Sequence, residues 1–442
     1  MQTLAIFRFP LWPLAFPLRP FPSAKPCSGG GNLLCSRLLN RTDIHRRPDV
    51  SDQLAYALIT PYSLFKSRTG GIIGRLLAHA RLELVATRMY VFSDAFIDAY
   101  NRVICPQCTD SAVAEAWHKY INRSLRQDNP WGYLPRTMLL LFRGPNAVRH
   151  LKDDVIGAFT EQPVGDTVRG TYGDFIRDET GKIHYFEPAV ITCPDPQLNN
   201  EHLKLLADYA LTDGGVLEGK IRYGEGNVQC SLVMLKPDNF ERRSRRPGNI
   251  IDTFSLTGLR IVAAKLFNMT VAQGEEFYGP LKSLFVRKLK GNVTQEVFNR
   301  LQNAFSFSFT MADAEAVADR LAERNAVSEF NRIVEYMTGV NPDDLIDPSE
   351  KPTASRTKCL ALLYEGVNAV DKIRTVLGST DPTKAEPGTV RSDFGRDLMR
   401  NGAHASDSPE NALRERKIVG LAETDRKTCD VQQIIHDYLQ AQ

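Results

Sequence analysis

A chain of 442 residues exceeds the size at which one hydrophobic core keeps growing, so two or three domains are expected, and an apolar share of 43% is enough to fill them. With 55 basic and 52 acidic residues the net charge is only +3, which gives no ground for a nucleic-acid or membrane-surface partner. Eight scattered cysteines and no run of about 18–20 apolar residues argue against a disulfide-stapled secreted domain and a spanning helix, and favour reduced thiols in the cytoplasm.

Residues 1–50 are rich in Pro, Phe, Leu and Arg and hold no acidic residue before Asp43. Pro10, Pro13, Pro17, Pro20 and Pro22 break the apolar helix of a secretory signal, which leaves an unstructured tail or an organelle-targeting segment.

From residue 51 onward one pattern occurs twice. The first copy opens with a short strand and a proline at Ala57–Pro61, then a basic, Gly-containing loop, then Ile72-Ile73 at the start of an amphipathic helix. A strand at Leu82–Ala86, a helix ending at Tyr100, a buried-type strand at Met138–Leu141 and the segment Phe142–Val148 follow, with Gly173-Asp174-Phe175 further on. Cys105 and Cys108 have the spacing of a metal pair but lack a second pair, and His79, His118 and His150 have no catalytic company. Glycines at 214, 215, 219, 224 and 226 mark a boundary, giving a first copy over 51–225 and a second over 226–442.

The second copy repeats the pattern: Val233–Pro237, Ile250-Ile251, Leu259–Ala263, a helix ending at Tyr278, Cys359–Leu363, Tyr364–Val370 and Ser392-Asp393-Phe394. Between Tyr278 and Phe330 it carries extra material, about 287–328, whose helical periodicity predicts added helices around Val293–Asn303 and Met311–Arg324. The element order is that of an α+β fold, a sheet covered by helices on one side.

Chemistry concentrates near the C-terminus. Asn401-Gly-Ala-His404-Ala-Ser-Asp407-Ser-Pro-Glu places a histidine ahead of a helix that Ser408 caps and Pro409 starts. Lys236, Arg374, Thr380, Arg391 and Asn401 add cations, a hydroxyl and an amide, with the cations being the groups that phosphoryl transfer needs around charged phosphate oxygens. A neutral imidazole is a competent nucleophile for such a transfer.

These segments resemble the nucleoside diphosphate kinase family, whose histidine signature is Asn-x-x-His-Gly-Ser-Asp-Ser. Asn401–Ser408 differs from it only at Ala405, while Lys236-Pro237-Asp238, the Arg374–Pro382 run and Pro387–Phe394 match further family segments. The resemblance implies two tandem ferredoxin-like α+β domains, the second with a helical insertion. It implies ping-pong transfer of the terminal phosphate of ATP or another nucleoside triphosphate to a nucleoside diphosphate, through phospho-His404. Glu415 would hold the imidazole with Tyr278 beside it; Lys236, Arg374, Thr380, Arg391 and Asn401 would grip phosphates and ribose. Mg²⁺ would ride on the nucleotide with no direct protein ligand, Asp407 reaching it through water at most. The implied partners are nucleoside di- and triphosphates, and the family's assembly into homo-oligomers leaves one dimer contact that two copies in one chain would satisfy internally.

Two departures touch the base pocket: Glu329 stands where the family stacks a Phe, and Leu398 would form the other wall. In the first copy Thr60 replaces the lysine, Tyr172 one arginine, Asp153 or, with a one-residue gap, Lys152 the other, and Thr192 the histidine. That copy is expected to serve packing or regulation. A rival reading of the whole chain, a nucleotide-binding sensor or scaffold with weak turnover, rests on the altered first copy, Ala405, Glu329 and the insertion.

Overall fold

The computed structural model describes residues 52–104, 111–159, 165–422 and 429–442. The Cys105–Cys108 pair and the tail over residues 1–50 lie outside them.

The first copy runs β1 (Asp52–Ile59), α1 (Pro61–Phe65), α2 (Thr69–His79), β2 (Glu83–Tyr90), α3 (Asp94–Val103), α4 (Ser111–Ser124), β3 (Thr137–Pro145) and α5 (Ala147–Arg149). After a π-helical stretch (His150–Ile156) come α6 (Val168–Tyr172), β4 (Asp174–Arg177), β5 (Ile183–Glu187), β6 (Val190–Ile191) and α7 (Asn199–Asp208). The second copy runs β7 (Val228–Leu235), α8 (Arg246–Ser255), β8 (Arg260–Phe267), α9 (Val271–Leu301), α10 (Met311–Thr338) and β9 (Cys359–Val367). It ends with α11 (Ala369–Leu377), α12 (Val390–Phe394), β10 (Ala403–Ala405), α13 (Pro409–Ile418) and α14 (Asp430–Gln440).

Each copy builds an antiparallel four-stranded sheet, in the orders β2-β3-β1-β6 and β10-β7-β9-β8, which is the second-third-first-fourth arrangement of a ferredoxin-like fold read from opposite edges. The two central strands, β3 and β9, are buried almost end to end, which is why they read as continuous apolar runs rather than alternating ones. The copies share small irregularities. Both second strands carry a bulge at the same place, Leu84/Ala86 and Ile261/Ala263. Both central strands lead into a left-handed asparagine, Asn146 and Asn368, a conformation that Asn tolerates better than other non-glycine residues.

The copies pack on one another about a pseudo-twofold relation. Helices α2 and α8 meet through glycines: a Cβ at Gly248 would lie inside van der Waals contact of Gly70 O and Gly74 N, so the backbones touch because no side chain intervenes. Paired cations reach across in mirror fashion. Arg136 donates to Ile261 O, and Lys358 donates to Leu84 O (3.2 Å).

The helix expected to stop at Tyr278 does not. Helix α9 continues through Pro280 to Leu301 and turns back as α10, so the extra residues lengthen two helices of the fold into one hairpin rather than adding separate ones. A proline inside a helix frees the carbonyl four residues earlier. Arg414 takes it up, donating to Glu276 O and Phe277 O at 3.1 Å each. Along α10 the alanines 314, 318, 322 and 326 are buried at four-residue spacing, forming a narrow seam that lets α9 approach closely. Among the described residues no helix is long and apolar enough to cross a membrane.

Candidate functional site

The site assembles where β7, the edge strand β10 and the loops before α12 and α13 converge. Within β10 side chains alternate, so Ala403 and Ala405 point into the core while His404, paired across from Met234, faces the other way and stays part-exposed. Ser408 accepts from Asn411 N (3.1 Å) and Pro409 opens α13, as the sequence pattern predicts. One turn on, Glu415 is 4% exposed. Its Oε2 accepts from His404 Nε2 at 2.9 Å and from Ser406 Oγ at 2.6 Å. With Nε2 engaged, Nδ1 is the nitrogen that has no protein partner among the described residues. Phe277 and Tyr278 wall the imidazole edge-on, with ring centroids 4.9 and 6.3 Å away.

Lys236 follows directly on β7 and is nearly buried; its Nζ donates to Asn401 Oδ1 (2.7 Å) and Met399 O (2.9 Å). Burial, reinforced by Arg391, lowers its ammonium to about 8. Asn401 in turn donates to Thr380 O (3.0 Å) and Leu398 O (3.1 Å). Arg391, on α12, donates to Gly378 O (3.1 Å), Thr380 Oγ1 (3.2 Å) and Ala403 O (3.5 Å). Its burial, followed by the charge of Arg374, brings it down to about 10. Arg374 itself stays exposed in the last turn of α11. An ammonium and a guanidinium, each lowered by burial and then by a neighbouring guanidinium, mark a place prepared for negative charge.

The side chains of other expected residues stand apart from this network. Leu398 is 64% exposed, and Glu329 forms an ion pair with Arg332 (2.9 Å) on α10. Asp407 is exposed, with Oδ1 accepting from Asn411 Nδ2 (2.6 Å). Sequence reasoning missed the strut beneath Lys236. Arg246 donates to Asp238 Oδ2 (2.7 Å), Asn239 Oδ1 (2.9 Å) and Phe394 O (2.6 Å), while Tyr336 donates to Asp238 Oδ1 (2.6 Å). Ser406 was equally overlooked, although its place two residues after His404 on the loop into α13 was a usable signal.

The first copy corrects two equivalences and decides a third. Strand register sets Ile191 opposite Leu58 as His404 sits opposite Met234, so Ile191, not Thr192, occupies the histidine position. Thr192 instead donates to Tyr56 O (2.7 Å). The helix capped by Thr167 matches the helix capped by Thr389, so the counterpart of Arg391 is Arg169, not Tyr172. Arg169 donates to Gly157 O and Val190 O as Arg391 does to Gly378 O and Ala403 O. It is buried against the Phe159 ring, 4.0 Å from its centroid, and burial lowers it to about 9. The π-helix absorbs one extra residue between Asn146 and Gly157: Gly157 N bonds to Lys152 O (2.9 Å) where Gly378 N bonds to Arg374 O (3.1 Å), which makes Lys152 the match for Arg374. Thr60 does stand in for Lys236, since Thr60 N bonds to Ala189 O as Lys236 N bonds to Gly402 O, both at 3.1 Å. Above it the Glu187 carboxyl accepts from Thr60 Oγ1 (3.1 Å) and Tyr120 OH (3.0 Å), putting an acid where phosphate would need a cation.

Comparison with known proteins bears on the second copy. The family model described as nucleoside diphosphate kinase matches residues 229–295 and 282–420, two pieces that meet inside the hairpin. The chain is 31% identical over 188 residues to a nucleoside diphosphate kinase of Campylobacter hominis, covering 42% of this chain and 92% of that protein. It is 30% identical over 189 residues to one of Bdellovibrio bacteriovorus, covering 43% and 90%. Among solved structures, an NDP kinase from Pyrobaculum aerophilum aligns at 26% identity and a TM-score of 0.30, covering 45% of this chain and 98% of that one.

Proposed function

The chain belongs to the nucleoside diphosphate kinase family, and on that premise we propose that its second copy moves the terminal phosphate of a nucleoside triphosphate, ATP first among them, to a nucleoside diphosphate through phospho-His404. The observation that carries this reading is the His404–Glu415–Ser406 arrangement beside Lys236 and Arg391. Glu415 accepts the Nε2 proton and so leaves the lone pair on Nδ1.

In the first half-reaction Nδ1 attacks the γ-phosphorus. The N–P bond forms as the bond from phosphorus to the β,γ-bridging oxygen breaks, and the electron pair leaves on the diphosphate. The imidazole gains positive charge, which the buried carboxylate of Glu415 stabilises. Lys236, Arg374 and Arg391, with Thr380 and Asn401, hold the phosphates and ribose and offset the charge on the transferred group. In the second half-reaction a terminal oxygen of an acceptor diphosphate attacks the phosphohistidine and returns the imidazole to its starting state.

The donors around the site are cations, amides and hydroxyls, a set suited to phosphate rather than to a bare divalent ion. Among the described residues the one cluster of three groups able to ligate a metal is Glu218, Cys230 and Glu365. Cys230 and Lys236 share β7 and its exit, six residues or about 20 Å apart at strand rise. Mg²⁺ would therefore be carried by the nucleotide, where it would neutralise charge between the phosphates, with no direct protein ligand and Asp407 reaching it through water at most.

The first copy, with Ile191, Thr60 and Glu187 in the equivalent places, has no nucleophile to offer; its part is to pair with the catalytic copy through α2 and α8. Initial rates with ATP varied at several fixed GDP concentrations test the proposal. Parallel double-reciprocal lines are expected; intersecting lines would mean a ternary complex and no phosphoenzyme. Nucleotide binding without turnover would leave the sensor or scaffold as the better account.

A further inference from the structure

The pseudo-twofold relation gives the protein two related grooves between its copies, and they differ by more than tenfold in volume. One is a cavity of about 30 Å³ floored by Leu64, Leu259 and Ile261. The other, floored by Leu77, Leu82, Leu84, Phe240 and Leu266, holds about 380 Å³, within the range of about 300–1,000 Å³ usual for small-molecule sites.

The cause is a loop. From Pro61 to Ile72 the first copy takes eleven steps, whereas Pro237 to Ile250 takes thirteen, and the longer loop reads Glu241-Arg242-Arg243-Ser244-Arg245-Arg246. In the small groove the equivalent loop closes down. Phe65 stacks on Tyr133 (5.0 Å between centroids), and the guanidinium of Arg260 lies 5.5 Å over the Phe65 ring. In the large groove Arg242 and Arg243 stand exposed at the wall, and neither is paired with a carboxylate among the described residues. Lys358 also lines it but is neutralised by an ion pair with Glu83. A leucine-rich floor under two unpaired guanidinium groups is complementary to a molecule with an apolar body and a doubly charged head.

We propose that this groove binds a phosphate monoester carrying an alkyl or aryl body, separately from the nucleotide site. The head lies between Arg242 and Arg243 and the body on Leu77, Leu82 and Leu84. Asn239, which lines the groove, also donates to Lys236 O (2.9 Å) and Gly402 O (2.6 Å), so the proposed site adjoins the loop that carries Lys236.

The test is calorimetric titration of the full chain with decyl phosphate below its micelle concentration, in saturating ADP so that the nucleotide site is filled. Saturable one-to-one binding is expected. It should weaken at least about tenfold in the surface variant Arg242→Glu/Arg243→Glu, since each charge-assisted hydrogen bond contributes roughly 1.5–3 kcal/mol and about 1.4 kcal/mol is a factor of ten. It should weaken comparably in Leu77→Trp, which fills the floor, and inorganic phosphate or decanol alone should not reproduce it. Binding that ADP abolishes, binding equal in both variants and wild type, or no binding would each overturn the assignment. None of these outcomes depends on phosphotransfer, so the inference stands or falls apart from the proposed kinase activity.

Discussion

Replacing Glu415 by Gln changes one charge and almost no volume, and the geometry says what that charge does. Its Oε2 accepts both from His404 Nε2 (2.9 Å) and from Ser406 Oγ (2.6 Å), and the group is 4% exposed, so water cannot stand in for it. Hydrogen bonds to a charged acceptor contribute about 1.5–3 kcal/mol and neutral ones about 0.5–1.5 kcal/mol. The difference, roughly 1–2 kcal/mol, grows in importance as the imidazole becomes cationic, and it corresponds to a fall of about 5- to 30-fold in the rate of phosphoenzyme formation. Glu415 acts through His404 and does not touch the nucleotide, so the loss should appear in kcat with KM little changed. Rapid-quench measurement at saturating labelled ATP reads the first step directly, and the ¹⁵N shifts of His404 report whether Nε2 remains the protonated nitrogen. A variant with unaltered phosphorylation rate and tautomer, or one whose defect lies in KM alone, would refute the positioning role.

Other expectations follow from single features. The Lys236 ammonium, lowered to about 8 by burial, is lost as pH rises through that value, so kcat/KM should drop about tenfold between pH 7 and pH 9 and be flat there in Lys236→Gln. Burial pushes the Glu187 carboxyl up from 4.5 to about 7; its contribution to stability is full below the unfolded value and is lost as pH rises through about 7. Glu187→Gln should therefore raise thermal stability at pH 8, by about 2–3 kcal/mol at most, and far less at pH 4. Gly248→Leu puts a side chain where Gly70 and Gly74 leave no room and should cost about 2–3 kcal/mol or more in denaturant unfolding, whereas Asn249→Ala, at an exposed position of the same helix, should not.

The residues that carried the most information were those whose roles are local. A capped helix start, a proline after a strand, an apolar run and a histidine beside Ser and Asp are all satisfied within a few positions, so His404, its helix and the repeated strand order could be read directly. What escaped reading depends on partners distant in sequence. Nothing near Pro280 says that α9 survives it, because the freed Glu276 carbonyl is taken up by Arg414 from α13. The first-copy equivalences slipped by one residue at Ile191 and by three at Arg169 because only strand pairing and cap geometry reveal them. Likewise Arg246 reads as one more basic loop residue until its three acceptors are seen together. The groove next to it is legible only as a comparison, since its volume comes from two extra residues seen against a mirror copy.

The central claim is that His404 itself becomes phosphorylated. Purified protein incubated with γ-labelled ATP and Mg²⁺ should acquire acid-labile, alkali-stable label that passes quantitatively to added GDP, and His404→Ala should acquire none. Label that persists in His404→Ala, or a wild type that turns ATP and GDP over without ever holding label, would contradict the account.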